Sequence, residues 1–337
     1  KGFIGHMKNA VKAFKNNILG NENITSCVLI GEGSCMDFVH NILMDVFHLD
    51  EKQCSTCERT SLISQGVAYK AYNDIKYPRS FNVKFYNNNN MKQITPNTEF
   101  IIGIDFGHGE TSAAVYSLKT QECFDIDILP GLKVIKSAVA ILEQEGRQTI
   151  CVGESAIQNA PYSKDFQIAF KKRPSEMNTI ERDRMVAFMR GVYAEILNQH
   201  PGYKAREHVI YIACHLPYRL LKNEESDYLK IFEDAGLPIA GIQTKAVAAY
   251  FYEERQPASI FRSKGGILIA DFASKYTGFT YFNCHMSQRI EDVYQFGMSE
   301  IEELLLEYAM LHPQDPYMTE FAEHYGNHKE SKPYNQI

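Results

Sequence analysis

The sequence predicts a mixed α/β fold that consists of two similar halves around a cleft. Apolar runs typical of buried strands alternate with amphipathic helical patterns along most of the chain. A unit made of a strand, an aspartate, a tight turn and a second strand occurs twice, at 101–118 and at 266–283. This recurrence indicates duplicated halves, each of which places one carboxylate, Asp105 or Asp271, beside the cleft.

The elements before the first unit are mostly helical. An apolar run that ends in a glycine-rich turn predicts a buried strand at 25–31 (TSCVLIG). Two prolines and four consecutive asparagines, at 87–90, indicate that 76–99 is an exposed linker. In chain order the patterns predict a helix at 3–19, the strand at 25–31, and helices at 37–47 and 61–74.

The elements between the two units alternate in type, which favours an α/β domain over an all-helical one. Gly236 follows one apolar helical pattern and is the expected C-terminal cap of that helix. In chain order the patterns predict strands at 136–144 and 148–153, a helix at 177–199, a strand at 208–217, and helices at 220–236 and 244–254.

Composition excludes several function classes. The chain has 337 residues and a net charge of −6, so no basic surface for a nucleic acid is expected. No apolar run approaches the roughly 20 residues of a membrane helix, and the first residues lack the apolar core of a signal peptide. A cytoplasmic location is therefore expected. Cys54 and Cys57 are the one C-x-x-C pair, and without a second pair a surface loop is favoured over a zinc site.

The turn after each aspartate is suited to phosphate. Gly107 and Gly109 permit a tight turn whose backbone N–H groups converge on an anion. Asp105 and Asp271 are candidate catalytic groups that would hold Mg²⁺ through its water shell. The alternative is that each aspartate merely starts a β-turn, but two matching units favour the phosphate interpretation. Asparagine at either position is expected to weaken nucleotide binding without unfolding the protein.

Three segments also resemble a known family. GIDFGHGETSAAVY (103–116) is similar to the first phosphate loop of the seventy-kilodalton heat-shock chaperones, and LIADFASKYTGFTYF (268–282) occupies the place of the second. VLIGEGSCMDFVHNIL (28–43) resembles their adenosine-binding turn. The likeness covers about residues 1–75 and 100–305. It implies the two-lobed ATPase fold of the actin, sugar-kinase and chaperone superfamily, with mixed-sheet halves around a nucleotide cleft that binds ATP or ADP with Mg²⁺.

The resemblance implies a set of nucleotide contacts. In the first loop they are Gly107, His108, Gly109 and Glu110; in the second, Ala273 and Ser274; in the adenosine turn, Gly31, Gly33 and Ser34.

The segment order differs from that of the family, because the adenosine turn precedes the first phosphate loop. A circular permutation explains this order; a fusion of two ATPase pieces and a listing of fragments out of order are the alternatives. The permuted assignment makes 1–75 the adenosine-turn part of the second lobe, 76–99 the linker, 100–240 the first lobe and 241–337 the remainder of the second lobe.

Several departures from the family predict weak catalysis. The family's lysine falls at Ile157, its glutamate falls at Thr244, and the arginine expected to stack on adenine is Cys35. Lys245 and Lys275 are candidate replacements for the missing cation, with solvated surface lysines as the alternative.

We therefore expect a nucleotide-binding module with weak or absent hydrolysis that closes on nucleotide to signal to a protein partner. The alternatives are a competent chaperone-type ATPase, an actin-like filament protein and a sugar kinase.

Overall fold

A computed structural model of the chain describes residues 3–56, 61–76, 91–214, 218–256, 265–273, 276–283, 288–297, 300, 304, 307–308, 311–312 and 314. Within these residues the helices are α1 (Phe3–Ala13), α2 (Asp37–Phe47), α3 (Leu62–Lys76), α4 (Gly153–Asn159), α5 (Thr179–Gln199), α6 (Pro201–Lys204), α7 (Tyr218–Asp234) and α8 (Lys245–Arg255). The strands are β1 (Ile24–Ile30), β2 (Cys54–Thr56), β3 (Phe100–Phe106), β4 (Glu110–Ser117), β5 (Cys123–Asp125), β6 (Val134–Lys136), β7 (Ala138–Gln144), β8 (Arg147–Val152), β9 (Asp165–Ile168), β10 (His208–Cys214), β11 (Ile239–Thr244), β12 (Gly266–Phe272), β13 (Thr277–Phe282) and β14 (Arg289–Tyr294). The predicted α/β class is confirmed.

The first sheet has the strand order β5-β4-β3-β10-β11, with β6 paired to β4. β3, β4 and β5 form an antiparallel meander, whereas β10 and β11 run parallel to β3. Residues 101–106 of the central strand are all buried, because helices cover both faces of this sheet.

The second sheet repeats this arrangement with the order β14-β13-β12-β1-β2. β12, β13 and β14 form an antiparallel meander, and β1 and β2 run parallel to β12. The two sheets therefore have the same sequence of antiparallel and parallel pairings around a central strand, β3 or β12. The predicted duplication into mixed-sheet halves is confirmed.

Helices separate and cover the two sheets. The apolar residues of α3 and α8 form one core with residues from β3 and β10 on one side and from β1 and β12 on the other. α5 and α7 cover the outer face of the first sheet, and α1 and α2 cover that of the second. Gly66 of α3 allows the close approach of α8, since a Cβ there would lie 1.9 Å from the carbonyl oxygen of Ala248.

A smaller sheet extends the first half. It has the strand order β8-β7-β9 and packs against α4, with a small apolar core around Ala138, Ala156 and Phe166. The strands predicted at 136–144 and 148–153 lie in this region.

Three local predictions need correction. The helix expected at 3–19 is α-helical only to Ala13 and continues as π-helical turns at Phe14–Leu19, ending at Gly20 with a φ of 65°. Cys54 does not lie in a surface loop. It is the first residue of β2 and is in register with Cys27 of the neighbouring strand β1. The last residues of the expected linker are anchored, since Lys92 donates its backbone N–H to the carbonyl of Ile239 at 2.7 Å. Residues 77–90, with the asparagine run, lie outside the described residues, as do Cys57 and the last predicted strand residues, 215–217.

The structure also bears on the proposed domain division. β11 belongs to the first sheet and continues to Thr244, four residues beyond the expected boundary at 240. β1 pairs with β12, so residues from near the beginning of the chain complete the sheet of the second unit.

Candidate functional site

Two aspartates occupy equivalent places at the ends of the two central strands. Asp105 is the penultimate residue of β3 and Asp271 is the penultimate residue of β12. Both are buried, with 8% and 7% of their surface exposed. Each lies opposite a small residue of the antiparallel neighbour, Ser112 or Gly278. The recurrence seen in the sequence therefore corresponds to equivalent positions in the two sheets.

The turn after Asp105 is closed by its own backbone. Gly107 donates its N–H to the carbonyl of Glu110 at 2.9 Å. A Cβ at Gly107 would lie 2.3 Å from that carbonyl oxygen, so a larger residue would force the turn open. Ser137 holds the turn from the side, because its backbone N–H donates to the carbonyl of Gly109 at 2.8 Å and its hydroxyl donates to that of Gly107 at 3.0 Å.

Two further predicted contact residues of the first loop have structural partners. The side chain of Glu110 accepts from Lys136 Nζ at 2.8 Å near the surface. His108 donates from Nδ1 to the carbonyl of Lys171 at 3.1 Å, which ties the turn to the segment after β9. The first loop is thus held in place by contacts on both sides.

Lys245 lies against Asp105. It is the first residue of α8, whose N-cap is Thr244: the Thr244 hydroxyl accepts from the backbone N–H of Val247 at 3.2 Å. Lys245 Nζ lies 2.9 Å from Asp105 Oδ1 and 3.0 Å from Oδ2. The two side chains are only 15% and 11% exposed, so this is a largely buried ion pair. The role of Lys245 as a replacement for the family's missing cation stays a prediction.

Asp271 has a different partner. The phenol of Tyr276 donates to Asp271 Oδ2 at 3.0 Å. Burial raises the pKa of Tyr276 well above its usual value, and the neighbouring Asp271 raises it further, so the phenol keeps its proton. The backbone N–H of Ala273 donates to the carbonyl of Tyr276 at 3.1 Å and closes this turn. Ser274 and Lys275 lie outside the described residues.

The predicted adenosine turn lies beside Asp271. Because β1 is parallel to β12 and Ile30 is in register with Asp271, the two strands end together. Gly31 has a φ of 87°, and a Cβ there would lie 2.5 Å from the carbonyl oxygen of Phe272 and 2.8 Å from Asp271 Oδ1. Glycine is therefore required at this close approach. Ser34 is buried and donates its N–H to the carbonyl of Gly31 at 3.0 Å, and Gly33 accepts from the N–H of Met36 at 3.3 Å.

Sequence reasoning missed Lys171. This lysine is 4% exposed, donates from Nζ to the carbonyl of Phe106, and lies 4.2 Å from the centre of the Phe106 ring. Burial lowers its pKa to about 8. Strict alternation along the run FQIAFKK, continued from the buried Phe166 and Ile168, would direct Lys172 inward and not Lys171. The φ of 50° at Ala169 interrupts that alternation, so the sequence pattern carried no signal for Lys171.

Ile157 and Thr244 are not placed alike. Ile157 packs against the small apolar core of the β7 sheet, whereas Thr244 lies at the start of α8 beside Lys245. A cation introduced at 157 would therefore enter an apolar cluster. The buried cation next to the first loop is Lys171.

A small open cavity of about 20 Å³ adjoins the first turn of α8 and the end of β12. It lies between the first turn of α8 and the second sheet. Its polar lining consists of Thr244, Lys245, Asp271, Tyr276, Thr280 and Asp292. The cavity thus reaches both Lys245 and Asp271.

The described residues do not fit a metal ion bound at Asp105. They contain no group of three or more His, Cys, Asp or Glu side chains that could hold one. Magnesium can use a single carboxylate with waters, but both oxygens of Asp105 already contact the Lys245 ammonium. Among the same residues, no helix is both long and apolar enough to cross a bilayer.

No protein-family model and no curated protein matches this sequence. Among solved structures, the chain is similar to MreB5 of Spiroplasma citri bound to ADP, with 13% identity, a TM-score of 0.44, and coverage of 65% of this chain and 59% of that one. It is also similar to Ta0583, an archaeal actin homolog, with 14% identity, a TM-score of 0.42, and coverage of 66% and 71%. A non-polymerisable quadruple mutant of pCBH ParM gives 14% identity, a TM-score of 0.40, and coverage of 65% and 70%. The chain thus spans about three fifths of the length of MreB5.

Proposed function

We propose that this chain is a nucleotide-binding module of the actin, sugar-kinase and heat-shock-chaperone type, which binds ATP or ADP and hydrolyses ATP slowly or not at all. One observation carries the proposal. The two sheets have equivalent strand orders, and the central strand of each has a buried aspartate, Asp105 or Asp271, next to its last residue. Two lysines lie beside the turn that follows Asp105. A cleft with converging charged groups at equivalent strand ends is a typical ligand site.

The chain's own groups suit a polyphosphate. Lys245 and Lys171 offer ammonium groups beside the first turn, since one contacts Asp105 and the other contacts the carbonyl of Phe106. The N-terminus of α8 adds the positive end of its helix dipole at Lys245. The lowered pKa of Lys171 means that burial disfavours its charge, and a bound anion would offset that cost.

Weak hydrolysis follows from what the first turn of α8 provides. Thr244 uses its hydroxyl to cap the helix, and Lys245 follows it, so this turn contributes a cation and no carboxylate. Phosphoryl transfer to water needs a group that orients the attacking water as well as cations that stabilise the transferring phosphate. We expect turnover well below the roughly 1 per second at the low end of typical enzymes.

The proposed consequence of nucleotide binding is closure of the two halves, which a protein partner would recognise. α3 and α8 pack against both sheets, so a change in the distance between the sheets must displace these helices. A nucleotide that contacts both the turn after Asp105 and the turn after Asp271 would make more contacts when the two halves are closed. It would therefore favour the closed arrangement.

A circular permutation is part of the proposal. The first sheet takes its strands from the chain in the order β3, β4, β5, β10, β11, whereas the equivalent strands of the second are β12, β13, β14, β1, β2. The last two strands of the second sheet thus come from before the first sheet. Rotation of the chain order, with a join in 76–99, accounts for this; such joins are tolerated where termini lie close together.

Calorimetric titration of ADP and ATP tests the proposal. We expect wild type to bind both, and Lys171→Met and Lys245→Gln each to lose about tenfold in affinity, the loss expected for one charge-assisted hydrogen bond of ~1.4 kcal/mol. Lys164→Gln is the matched control, since Lys164 is exposed and pairs with Glu143. Absence of binding by folded wild type, or equal affinity in all four proteins, would overturn the proposal. Nucleotide-dependent light scattering by wild type would instead favour the filament alternative.

A further inference from the structure

The side chain of Lys245 lies where the sequence predicts a divalent cation. Lys245 Nζ lies almost equally far from the two oxygens of Asp105, at 2.9 and 3.0 Å. A Cβ built on Gly107 would be 3.6 Å from the same nitrogen, so the ammonium also lies over the backbone of the first turn. It therefore occupies the region between the first aspartate and the proposed phosphate position.

From this geometry we propose that the Lys245 ammonium takes the place of Mg²⁺, so that nucleotide binds without a divalent cation. The inference rests on the proposed nucleotide site and goes beyond it, because it reverses the magnesium requirement expected from the sequence. A metal ion at Asp105 would have to displace Lys245, since both cations use the same two oxygens.

The charge of the Lys245 ammonium opposes a metal ion at Asp105. Asp105 and Asp271 contribute two negative charges, and Lys245 and Lys171 contribute two positive charges when both are protonated. A divalent ion would add two more positive charges next to an ammonium that is only 15% exposed and poorly screened by water. Repulsion between the ion and Lys245 therefore opposes metal binding.

The second aspartate is also committed within the chain. Tyr276 donates to Asp271 Oδ2 at 3.0 Å, and this phenol comes from the turn that follows β12. A water of a hydrated magnesium ion would need to replace the phenol to use that oxygen. Groups of the protein thus contact both oxygens of Asp105 and one oxygen of Asp271.

An ammonium can replace only part of what magnesium does. It carries one charge and donates three hydrogen bonds, so it can bridge Asp105 and a phosphate oxygen. It does not hold a shell of ordered waters. The inference therefore agrees with a site that binds nucleotide but hydrolyses ATP slowly or not at all.

The test measures nucleotide and metal separately. ADP affinity of wild type, measured by calorimetry, should change less than about threefold between excess EDTA and excess Mg²⁺. In Lys245→Gln, ADP affinity should become at least tenfold weaker in EDTA than in Mg²⁺, because the vacated Asp105 then accepts a metal. Lys164→Gln should behave as wild type. A wild-type affinity that falls tenfold or more in EDTA would overturn the inference.

A second arm uses Mn²⁺ alone, read from the electron paramagnetic resonance signal of the free ion. Wild type should leave the signal of free Mn²⁺ unchanged. Lys245→Gln should reduce this signal, because Mn²⁺ then binds at Asp105. The double variant, Lys245→Gln with Asp105→Asn, should lack this site. Circular dichroism confirms that each variant is folded. Mn²⁺ binding by wild type that Asp105→Asn abolishes, or no gain in folded Lys245→Gln, would overturn the inference. If no protein binds nucleotide, the proposed function fails, while this arm still decides whether Lys245 excludes metal.

Discussion

The β3–β4 unit and the β12–β13 unit share their backbone plan but not their chemistry. Asp105 is held by a lysine from the helix between the sheets, whereas Asp271 is held by a neutral phenol from its own turn. The first turn is narrow and needs glycine at 107, whereas Gly278 of β13, opposite Asp271, could accept a Cβ in ordinary van der Waals contact with its neighbours. A duplicated fold thus keeps the positions of its two carboxylates while their surroundings diverge. The difference shows that the first unit carries the charged interactions and the second unit carries neutral ones.

The largest expected effect is a difference in the free energy of unfolding between variants of the two aspartates. Asp105→Ala should lower the free energy of unfolding by about 3 kcal/mol, because it leaves the Lys245 ammonium without its partner in a largely buried position. Asp271→Ala should cost about 1.5 kcal/mol, since it removes a hydrogen bond from a neutral phenol. Urea denaturation measures both.

Adding Lys245→Met to Asp105→Ala is the control for the first prediction, because it removes the stranded charge and should restore about half of the loss. Equal losses for the two single variants would show that the Lys245 pair contributes nothing beyond a hydrogen bond. The sequence predicts that asparagine at either aspartate weakens nucleotide binding without unfolding the protein, and this stays a prediction.

The next comparison concerns two glycines, Gly107 in the first turn and Gly278 of β13, which lies opposite Asp271. Gly107→Ala should cost about 2 kcal/mol, because its Cβ would meet the Glu110 carbonyl oxygen at 2.3 Å and the backbone must move. Gly278→Ala should change stability by less than about 0.5 kcal/mol, since its nearest neighbours would be 3.8 Å away. Thermal denaturation of the matched pair measures this. A tolerated alanine at 107 would mean that the first turn can make room for a Cβ.

A pH dependence is expected from the lysine beneath the first turn. Burial lowers the pKa of Lys171 from its usual 10.5 to about 8 in the folded protein. Between these values the unfolded chain binds more protons, so stability rises with pH. Wild type should gain about 2 kcal/mol relative to Lys171→Met between pH 7 and pH 9.5, because a shift of one pKa unit corresponds to ~1.4 kcal/mol. Urea denaturation at the two pH values measures the gain, and parallel profiles would show that Lys171 titrates normally.

The smallest effect is expected at the phenol. Tyr276→Phe should lower the free energy of unfolding by about 1 kcal/mol, because Asp271 loses one hydrogen-bond donor while the ring remains. Chemical denaturation measures it, with Tyr162→Phe as the control on a residue that is 80% exposed. A loss larger than that of Asp271→Ala would mean that the phenol has a further role in the second turn.

Much of the fold was accessible from local patterns. The helix at 37–47 has the bounds that its amphipathic pattern predicts, and the strand predicted at 25–31 is observed at Ile24–Ile30. The repeated strand, aspartate and turn correctly indicated equivalent carboxylates, because residue type and position along a strand are local properties. The end of α1 at Ala13 was missed, since a change from α to π geometry leaves the apolar pattern nearly unchanged.

The sequence by itself determined that this protein is duplicated, that an aspartate lies near the end of a buried strand in each half, and that glycines follow the first aspartate at 107 and 109. Those features depend on residues that are neighbours along the chain. Only the tertiary structure decided that β1 completes the second sheet beside β12, that Lys245 holds Asp105 across 140 positions, and that Lys171 is buried under the first turn. These contacts depend on how two sheets and the helices between them pack, and side chains distant in sequence meet only after that packing is complete.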